Sequence, residues 1–447
     1  MGTSTPPRVD ALIIGGGLSG LAAAVRLASR GAEIVMCEQA PRLGGRCYSF
    51  TDPATGDVVD NGQHILLGAY HNLLAYLDTI GSREFLKVRS LTLPLHHPQK
   101  GFASFAVPPV PRPFHLPAGM LKFKLLTLAE RRRLLKVGLA LSRRNKSADE
   151  KLAGITVDQW LTGLGQSRRA MECLWNPIAI AVMNESPGKA SALLFAKTLR
   201  AAFLGKKSDS AILLPTVGQT ELYVSGALRY LAARKARLLV NTEVASLEIR
   251  HSAVSGVVLK DGRRLNAAHV IAAVPYHSLK RLVPPDLQEE KPFAGLHHLK
   301  SSPIVSLHLW FEEEVMNEEF VGLIGRRIQW VFNRRRITGG GGKKSGYLSA
   351  VISAAHEYAH LSRQELLSIA LEDLRGVYPA LGKLVSSVVI KEKRATFSPT
   401  CEAEQWRPGA VTPVSNLFLA GDWTDTGLPA TIEGAVLSGN RAADLIG

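Results

Sequence analysis

The chain has 447 residues, of which 46% are hydrophobic, so it is long enough for two or three domains or for one large α/β unit with an insertion. Its net charge of +16 favours an anionic ligand or membrane surface over nucleic acid, because no DNA-binding motif and no basic–aromatic interleaving accompany the charge. Four widely spaced cysteines, no secretory signal and no long apolar run argue against a disulfide scaffold and a spanning helix, and they predict a cytoplasmic protein.

The first predicted element is a short strand over residues 11–14, which ends in a glycine turn of the form G-x-G-x-x-G. A helix over residues 21–29 and a second strand over residues 33–37 follow it. In this arrangement the N–H groups at the helix N-terminus bind a pyrophosphate, and an acid after the second strand binds a ribose. The sequence therefore predicts a dinucleotide site formed by Gly15, Gly17, Leu18, Ser19, Gly20 and Glu38.

A second glycine turn, Gly44-Gly45-Arg46, comes soon after Glu38. Its backbone can wrap the other side of a pyrophosphate, and the guanidinium group can pair with the phosphate charge. Any basic loop can have this composition, but the short distance from Glu38 favours FAD over NAD. We therefore expect Gly44, Gly45 and Arg46 to contact FAD.

The polar stretch 60–64 precedes an apolar segment and ends in Gln63 and His64. One interpretation is a turn whose polar groups satisfy one another. The functional interpretation places Gln63 and His64 beside a flavin ring, because imidazole is the side chain that most easily carries a proton near neutral pH.

Residues 91–146 differ in composition from the rest of the chain. Residues 91–117 are rich in proline, histidine and apolar side chains, and a leucine-rich helix is predicted over residues 121–141. Nine basic residues and one acid, Glu130, lie between positions 122 and 146. Apolar bulk with clustered cations is typical of a segment that lies in the lipid headgroup plane. The alternative is a packed helix with a solvated basic face.

The middle of the chain combines helices with a second set of strands. Helices are predicted over residues 157–164, 173–182 and 189–204, with a break at 175–177, and they are expected to form core or the wall of an apolar pocket. The second half of a dinucleotide domain is expected from a helix (221–234), a strand (236–241), a hairpin (244–259) and a strand (269–274), with Val244 as a backbone contact to adenine.

Residues 276–390 predict an antiparallel sheet with helices, and two short motifs in this region do not indicate ligand sites. The glycine run 339–342 is followed by two lysines, but Ile337 replaces the first P-loop glycine and Lys344 the Ser or Thr, so we predict a hairpin tip. Residues 356–360 match H-E-x-x-H, but the predicted helix begins only at Ser362. We therefore expect no metal site.

The last segment is a strand over residues 416–420, followed by Gly421-Asp422 and a helix that opens at Thr431. In a flavoprotein Asp422 would hold the ribityl chain or a phosphate. The helix N-terminus would stabilise negative charge on the flavin pyrimidine. The expected cofactor contacts are Gly421, Asp422, Thr431, Ile432, Glu433 and Ala435.

With these segments together, the chain resembles the FAD-containing amine oxidase and carotenoid desaturase superfamily over nearly its whole length. Residues 60–64 and 421–429 are similar to its squalene-associated branch, the hydroxysqualene dehydroxylases, whereas residues 433–439 are shared with plant-type carotene desaturases. The resemblance implies an α/β fold with a Rossmann-like FAD-binding domain and an inserted α+β substrate domain. We expect the first domain at 9–85, 211–280 and 395–447, and the second, which would also contact the membrane, at 86–210 and 281–394.

The resemblance also implies a reaction, in which reduced FAD replaces the allylic hydroxyl group of hydroxysqualene with hydrogen and an external reductant restores the flavin. An acid must protonate the departing hydroxide, and the candidates are His64, oriented by Gln63, and Asp425. A carotenoid desaturase, which uses the same fold in the oxidative direction, is the alternative. A polyisoprenoid substrate favours the membrane interpretation of residues 91–146, on the inner face of the cytoplasmic membrane.

Overall fold

The structure is a computed structural model that describes residues 9–446 except 109, 111–114, 144–145 and 341–344. Its strands are β1 (Val9–Ile14), β2 (Ile34–Cys37), β3 (Ser49–Thr51), β4 (Val58–Asp60), β5 (Leu66–Leu67), β6 (Leu86–Arg89), β7 (Thr92–His97), β8 (Gly101–Ala106), β9 (Ile212–Pro215), β10 (Arg237–Leu239), β11 (Val244–Arg250), β12 (Ala253–Leu259), β13 (Arg264–Leu265), β14 (Ala267–Ala272), β15 (Ser301–Phe311), β16 (Phe320–Leu323), β17 (Trp330–Asn333), β18 (Gly346–Ile352), β19 (Leu384–Phe397) and β20 (Leu417–Leu419).

Within the described residues, fourteen α-helices lie between these strands and α15 follows the last one, and two π-helical turns, Met171–Trp175 and Glu221–Ser225, directly precede α8 and α10. The helices are α1 (Leu18–Ser29), α2 (His71–Ile80), α3 (His115–Lys122), α4 (Leu128–Ser142), α5 (Lys146–Glu150), α6 (Val157–Gly163), α7 (Arg168–Ala170), α8 (Asn176–Met183), α9 (Ala192–Leu204), α10 (Gly226–Ala232), α11 (Tyr276–Leu282), α12 (Arg334–Thr338), α13 (Arg363–Arg375), α14 (Cys401–Trp406) and α15 (Ile432–Asp444).

A five-stranded parallel sheet, in the order β10-β2-β1-β14-β20, forms the centre of the nucleotide side. Alternate residues of β1 point to opposite faces. Ala11 and Ile13 pack against a helical layer that includes α1, α2, α10 and α15. Leu12 and Ile14 pack in a second core with the three-stranded sheet β11-β12-β13. The predicted Rossmann-like fold is confirmed.

A seven-stranded mixed sheet, in the order β19-β15-β18-β17-β16-β7-β8, forms the second side of the molecule. Its pairs are antiparallel except for β16 and β7, which run parallel. Trp330 and Phe332 of β17 pack on a helical core that includes α4, α6 and α9. Val331, between them, points to the opposite face and packs in the core with α13. The predicted α+β sheet is confirmed.

The single helix expected over residues 121–141 is wrong, because the chain forms two helices there. The helix α3 ends at Lys122, and α4 begins after Thr127. The Thr127 side chain accepts from Glu130 N at 3.3 Å, and Glu130 Oε2 accepts from Thr127 N at 2.8 Å. This capping box starts a new helix within the leucine-rich segment that the sequence predicted to be a single helix.

The break expected at residues 175–177 is also wrong. The chain stays helical from the π turn Met171–Trp175 directly into α8. Pro177 lies in the first turn of α8. The π turn directly before it already departs from the i→i−4 hydrogen-bond pattern, and this is the position at which the helix accommodates a residue without an N–H. Pro177 therefore does not end the helix.

The structure also bears on the glycine run, the H-E-x-x-H match and the question of a spanning helix. The helix α12 ends at Thr338, and residues 341–344 of the predicted hairpin tip lie outside the described residues. The helix α13 begins at Arg363, after the H-E-x-x-H match, and no cluster of metal-ligating side chains occurs among the described residues. Within the same part of the chain, no helix has both the length and the apolar character needed to cross a bilayer.

Candidate active site

A cavity of about 890 Å³ lies between the parallel sheet and the seven-stranded sheet and is lined by both. One part is lined by the loops that follow β1, β2, β14 and β20. The other part is apolar, and its lining residues include Leu91, Leu93, Ile178, Val182, Leu199, Phe203, Trp330 and Phe332. The cavity therefore joins a loop-lined cleft to an apolar pocket.

The first glycine turn shapes the cleft at the end of β1. Gly15 has a φ of 104°, and a Cβ atom there would lie 2.5 Å from Ala273 O, so this position requires glycine. A Cβ atom on Gly17 would meet no atom within 4 Å, because Gly17 faces the open cavity. The helix α1 follows with no side-chain cap and no acid in its first turn, and Leu18 and Ser19 line the cavity. Its N-terminal N–H groups are thus available to an anion.

The second glycine turn packs directly on the first. Gly44 N donates to Gly16 O at 2.8 Å, and a Cβ atom on Gly45 would lie 3.1 Å from Gly17 Cα. Arg46 reaches from this turn to the end of β20, where its Nη2 donates to Asp422 Oδ1 at 2.8 Å. Segments some 376 residues apart in the chain therefore meet at one edge of the cleft.

Glu38 and Val244 also line the cavity. The Glu38 carboxylate accepts from Gly16 N at 2.7 Å and from Ala40 N at 2.8 Å. Each carboxylate oxygen has a second acceptor site, so these bonds leave capacity for ribose hydroxyl groups.

The C-terminal segment closes the cleft. Gly421 N donates to Ser438 Oγ at 2.8 Å, which ties the end of β20 to α15. Thr431 caps α15 by accepting from Gly434 N at 3.0 Å. Thr431, Ile432 and Ala435 line the cavity, so the N-terminus of a second long helix faces it.

Three of the predicted site residues do not line the cavity. A Cβ atom on Gly20 would overlap Gly15 O, so this glycine lets α1 pack against the turn. Glu433 is buried and caps α2 by accepting from Leu73 N at 2.8 Å. Asp425 is exposed and accepts from Gly427 N at 3.2 Å. The expectation that Asp425 acts as a catalytic acid has no geometric support, because the turn after β20 directs it to solvent.

Gln63 and His64 line the cavity where the cleft meets the apolar pocket. Gln63 Oε1 accepts from Arg334 Nη1 at 2.5 Å, and Gln63 Nε2 donates to His64 O at 3.3 Å. Arg334 also pairs with Asp60 at 3.2 Å, and both side chains are almost fully buried. Sequence reasoning missed Arg334, although an arginine triplet directly after an apolar strand was a visible signal for it.

His64 is neutral at neutral pH in this environment. Burial lowers the pKa of His64 from 6.5 to about 4. Its Nδ1 atom is buried and has no hydrogen-bond partner among the residues that the structure describes. The ring can therefore donate a hydrogen bond to a bound molecule or accept one from it. It does not carry the additional proton of an imidazolium at neutral pH, so it is not a cationic acid there.

The residues of the cleft fit FAD. The space at Gly17, the uncapped N-terminus of α1 and the unpaired Nδ1 of His64 each leave a position for a ligand group. Glu38, Arg46 and Asp422 line the same cleft and could hydrogen-bond to the ribose, diphosphate and ribityl groups of FAD.

The comparisons with known proteins agree with this geometry. A family model described as "Flavin containing amine oxidoreductase" matches residues 18–447. The chain is 30% identical to a hydroxysqualene dehydroxylase of Rhodopseudomonas palustris, over 97% of each chain. It is 26% identical to a 15-cis-phytoene desaturase of an Oncidium hybrid cultivar, over 98% of this chain and 78% of the relative. An oxidoreductase structure from Methanosarcina mazei matches with a TM-score of 0.76 at 18% identity, over 97% of this chain and 100% of that one.

Proposed function

Because the chain belongs to the flavin-containing amine oxidoreductase family and is an FAD-dependent oxidoreductase, we propose that it reduces hydroxysqualene to squalene in hopanoid or triterpenoid biosynthesis. The observation that carries the proposal is the apolar pocket that opens directly into the dinucleotide cleft. When bound, reduced FAD supplies the two electrons and the hydrogen that replace the hydroxyl group. Overall, the alcohol takes up two electrons and two protons and yields hydrocarbon and water.

The substrate proposal is supported by the kind of surface that the pocket presents. Its wall is built from leucine, isoleucine, valine, phenylalanine and tryptophan side chains of β7, α8, α9 and β17. Burying a long hydrocarbon against such a wall gains about 25 cal/mol per Å² of apolar surface. The same wall would exclude water from an allylic cation. We retain the division into FAD-binding segments (9–85, 211–280 and 395–447) and substrate segments (86–210 and 281–394) as part of the proposal.

For the chain's own residues, we propose that Gln63 and His64 orient the hydroxyl group at the junction of cleft and pocket. Arg334 fixes the Gln63 amide, and Gln63 Nε2 contacts the His64 carbonyl. Replacing His64 with Ala should lower the single-turnover rate by about 100-fold through loss of this orientation while FAD stays bound. A near-normal rate in this variant would remove His64 from the reaction.

The direct test is product analysis with two polyenes under anaerobic conditions. The reduced holoenzyme should be oxidised on addition of hydroxysqualene and should form squalene. Phytoene should leave its absorbance unchanged. The related phytoene desaturases support the alternative reaction, in which the oxidised holoenzyme would bleach with phytoene and hydroxysqualene would be inert. Bleaching with phytoene and no response to hydroxysqualene would reject the proposed dehydroxylase reaction.

We also propose that the protein lies peripherally on the inner face of the cytoplasmic membrane through residues 91–146. In α4, Leu128 and Leu139 are 67% and 66% exposed. They lie 11 residues apart, close to three helical turns, so they share one face with exposed Arg132 and Lys136. Leucines and cations on one helix face match the requirements for binding an anionic bilayer surface.

Co-sedimentation with vesicles that contain anionic lipid tests this contact. Replacing Leu128 and Leu139 with Glu should abolish most of the binding. The matched control replaces Val385 and Val411 with Glu, because both valines are 62% exposed and lie outside this segment. Equal sedimentation of the two double variants would reject the assignment.

A further inference from the structure

Arg407 follows α14 and is enclosed by protein behind the cleft. Its side chain is 0% exposed, and it does not line the cavity. The guanidinium carbon lies 4.6 Å from the centre of the Phe397 ring, and Nη1 donates to Glu404 Oε1 at 2.7 Å. A buried guanidinium has five N–H groups, so one ion pair and one ring leave the other N–H groups in need of acceptors.

The other acceptors of Arg407 all belong to the loop that follows β20. Its Nε donates to Trp423 O at 3.3 Å. Its Nη2 donates to Asp422 O at 3.4 Å and to Thr424 O. The same Nη2 donates to Thr426 Oγ1 at 3.3 Å. Arg407 therefore holds the carbonyl oxygens of three consecutive residues on one side of this loop.

Two N–H groups of the same loop point the other way, because the C=O and N–H of a trans peptide unit lie on opposite sides of it. The carbonyl of Asp422 is held by Arg407, so the N–H of Trp423 points away from Arg407. The carbonyl of Gly421 accepts from Thr424 N at 3.1 Å and Thr424 Oγ1 at 2.8 Å, so the N–H of Asp422 points away from that turn. Among the residues that the structure describes, neither N–H group has a hydrogen-bond partner.

These two N–H groups belong to residues that line the cavity, and a cation is fixed beside them. Gly421, Asp422 and Trp423 all line the cavity. Arg46 Nη2 donates to Asp422 Oδ1 at 2.8 Å, and Arg46 Nη1 donates to Ala395 O at 2.5 Å. Consecutive N–H groups next to a guanidinium are the donors that an anion requires.

We propose that Arg407 is a positioning residue for FAD. Because it holds the carbonyl groups of residues 422–424 on its own side of the loop, it directs the N–H groups of Asp422 and Trp423 towards the diphosphate of FAD. Arg407 acts through this loop and does not touch the cofactor. The proposal rests on the FAD-dependent part of the proposed function and does not depend on which polyene is the substrate.

A guanidinium suits this role better than an ammonium does. Its Nε and Nη2 atoms have fixed relative positions, so they bond to Trp423 O and Asp422 O at the same time. A lysine carries all its N–H groups on one nitrogen and keeps the positive charge, but it cannot hold the loop at both points. The substitution Arg407→Lys therefore separates the charge of this side chain from its geometry.

The experiment titrates the full-length apoprotein with FAD and with riboflavin, which has no diphosphate, and follows the quenching of flavin fluorescence. The test variant is Arg407→Lys. Glu404→Gln is the first control, because it removes the charge of the partner and leaves the contacts of Arg407 with the loop in place.

Arg200→Lys is the matched control for replacing a buried arginine that binds carbonyl groups. Arg200 is 11% exposed and pairs with Asp149 at 2.5 Å. It also donates to Leu141 O at 3.2 Å and to Arg143 O at 3.0 Å, and it does not line the cavity. Its replacement therefore reports the general cost of losing such contacts.

The wild-type protein should bind FAD more tightly than riboflavin, and Arg407→Lys should lower this preference by about 10-fold, because the misplaced N–H groups serve only the diphosphate. Glu404→Gln and Arg200→Lys should keep the wild-type preference. An equal loss of affinity for FAD and riboflavin in Arg407→Lys would show that the side chain only supports the fold. That result, or wild-type binding of both flavins, would overturn the proposal.

A second measurement decides the question if Arg407→Lys does not fold. A crystal structure of the wild-type holoenzyme should show Trp423 N bonded to a diphosphate oxygen of FAD while Arg407 contacts Asp422 O. A Trp423 N–H that does not bond to the diphosphate would overturn the proposal. If hydroxysqualene fails to oxidise the reduced wild-type enzyme, the dehydroxylase reaction is rejected, but the flavin titrations still test the role of Arg407.

Discussion

The two sides of the cavity recognise ligands by different means. On the nucleotide side, consecutive backbone groups of two glycine turns and two helix N-termini face the space. On the apolar side, single side chains from β7, α8, α9 and β17 form the wall. Backbone groups at fixed spacing select one charged ligand, whereas an apolar wall accepts any hydrocarbon of suitable shape. This difference explains why the cofactor is easier to assign than the substrate.

The loop 60–64 joins the two sides, and the Arg334–Asp60 pair at its base gives the largest expected effect. Replacing Arg334 with Met leaves the Asp60 carboxylate buried without its cation. The free energy of unfolding should fall by about 3–5 kcal/mol, measured by denaturant titration of the FAD-saturated protein.

Arg336→Met is the control for this change, because Arg336 lies on the same helix and its pair with Glu314 is exposed. The double variant Arg334→Met with Asp60→Leu should recover most of the lost stability. If Arg334→Met lowers the free energy of unfolding no more than Arg336→Met does, the buried Arg334–Asp60 pair does not stabilise the loop 60–64.

The same loop should also make the stability of the protein depend on pH through His64. The pKa of His64 is about 4 in the folded protein and 6.5 as its ordinary value, so the unfolded chain binds more protons between these values. The stabilisation is complete above pH 6.5 and is lost as the pH falls towards 4, by up to about 3 kcal/mol. The measurement is unfolding at a series of pH values for the wild type and for His64→Asn. Parallel curves for the two proteins would contradict the prediction.

Cofactor binding on the nucleotide side can be weakened separately by a substitution at Gly17. A Cβ atom there would meet no atom within 4 Å, so the Gly17→Val chain should fold, but the valine side chain would occupy the space before α1. The affinity for FAD should fall by about 100-fold, measured by titrating the apoprotein with FAD. Gly138→Val in α4 is the control, since that glycine also has open space around its Cβ position. Full FAD content in Gly17→Val would show that this turn does not hold the cofactor.

The smallest expected effect concerns the apolar side. Replacing Leu93, which lines the pocket on β7, with Gln should raise the KM for hydroxysqualene by about 10-fold and leave the flavin spectrum unchanged. Val88→Gln is the matched control, because Val88 is 63% exposed and lies outside the cavity on β6. Equal KM values for the two variants would show that this wall does not bind substrate.

Most of the residues that local sequence patterns assigned to the nucleotide side line one cavity. Gly15, Gly17, Glu38, Gly44, Gly45, Arg46 and Asp422 all line the cavity where their motifs suggested. Glu433 follows the same cofactor-like motif but caps α2, and Asp425 points to solvent. These two outcomes depend on which way a turn directs one side chain, and spacing along the chain does not determine that direction.

Local sequence alone predicts the strand–turn–helix unit, the second glycine turn and the C-terminal strand and helix, because each depends on backbone conformations that few residue types adopt. Three features are visible only in the folded chain: Arg334 reaches Gln63, α4 begins separately after Thr127, and Ser306 of β15 lies against Gly62 of the 60–64 loop. These features arise from contacts between segments far apart in the chain, where packing and the pairing of buried polar groups outweigh local preference.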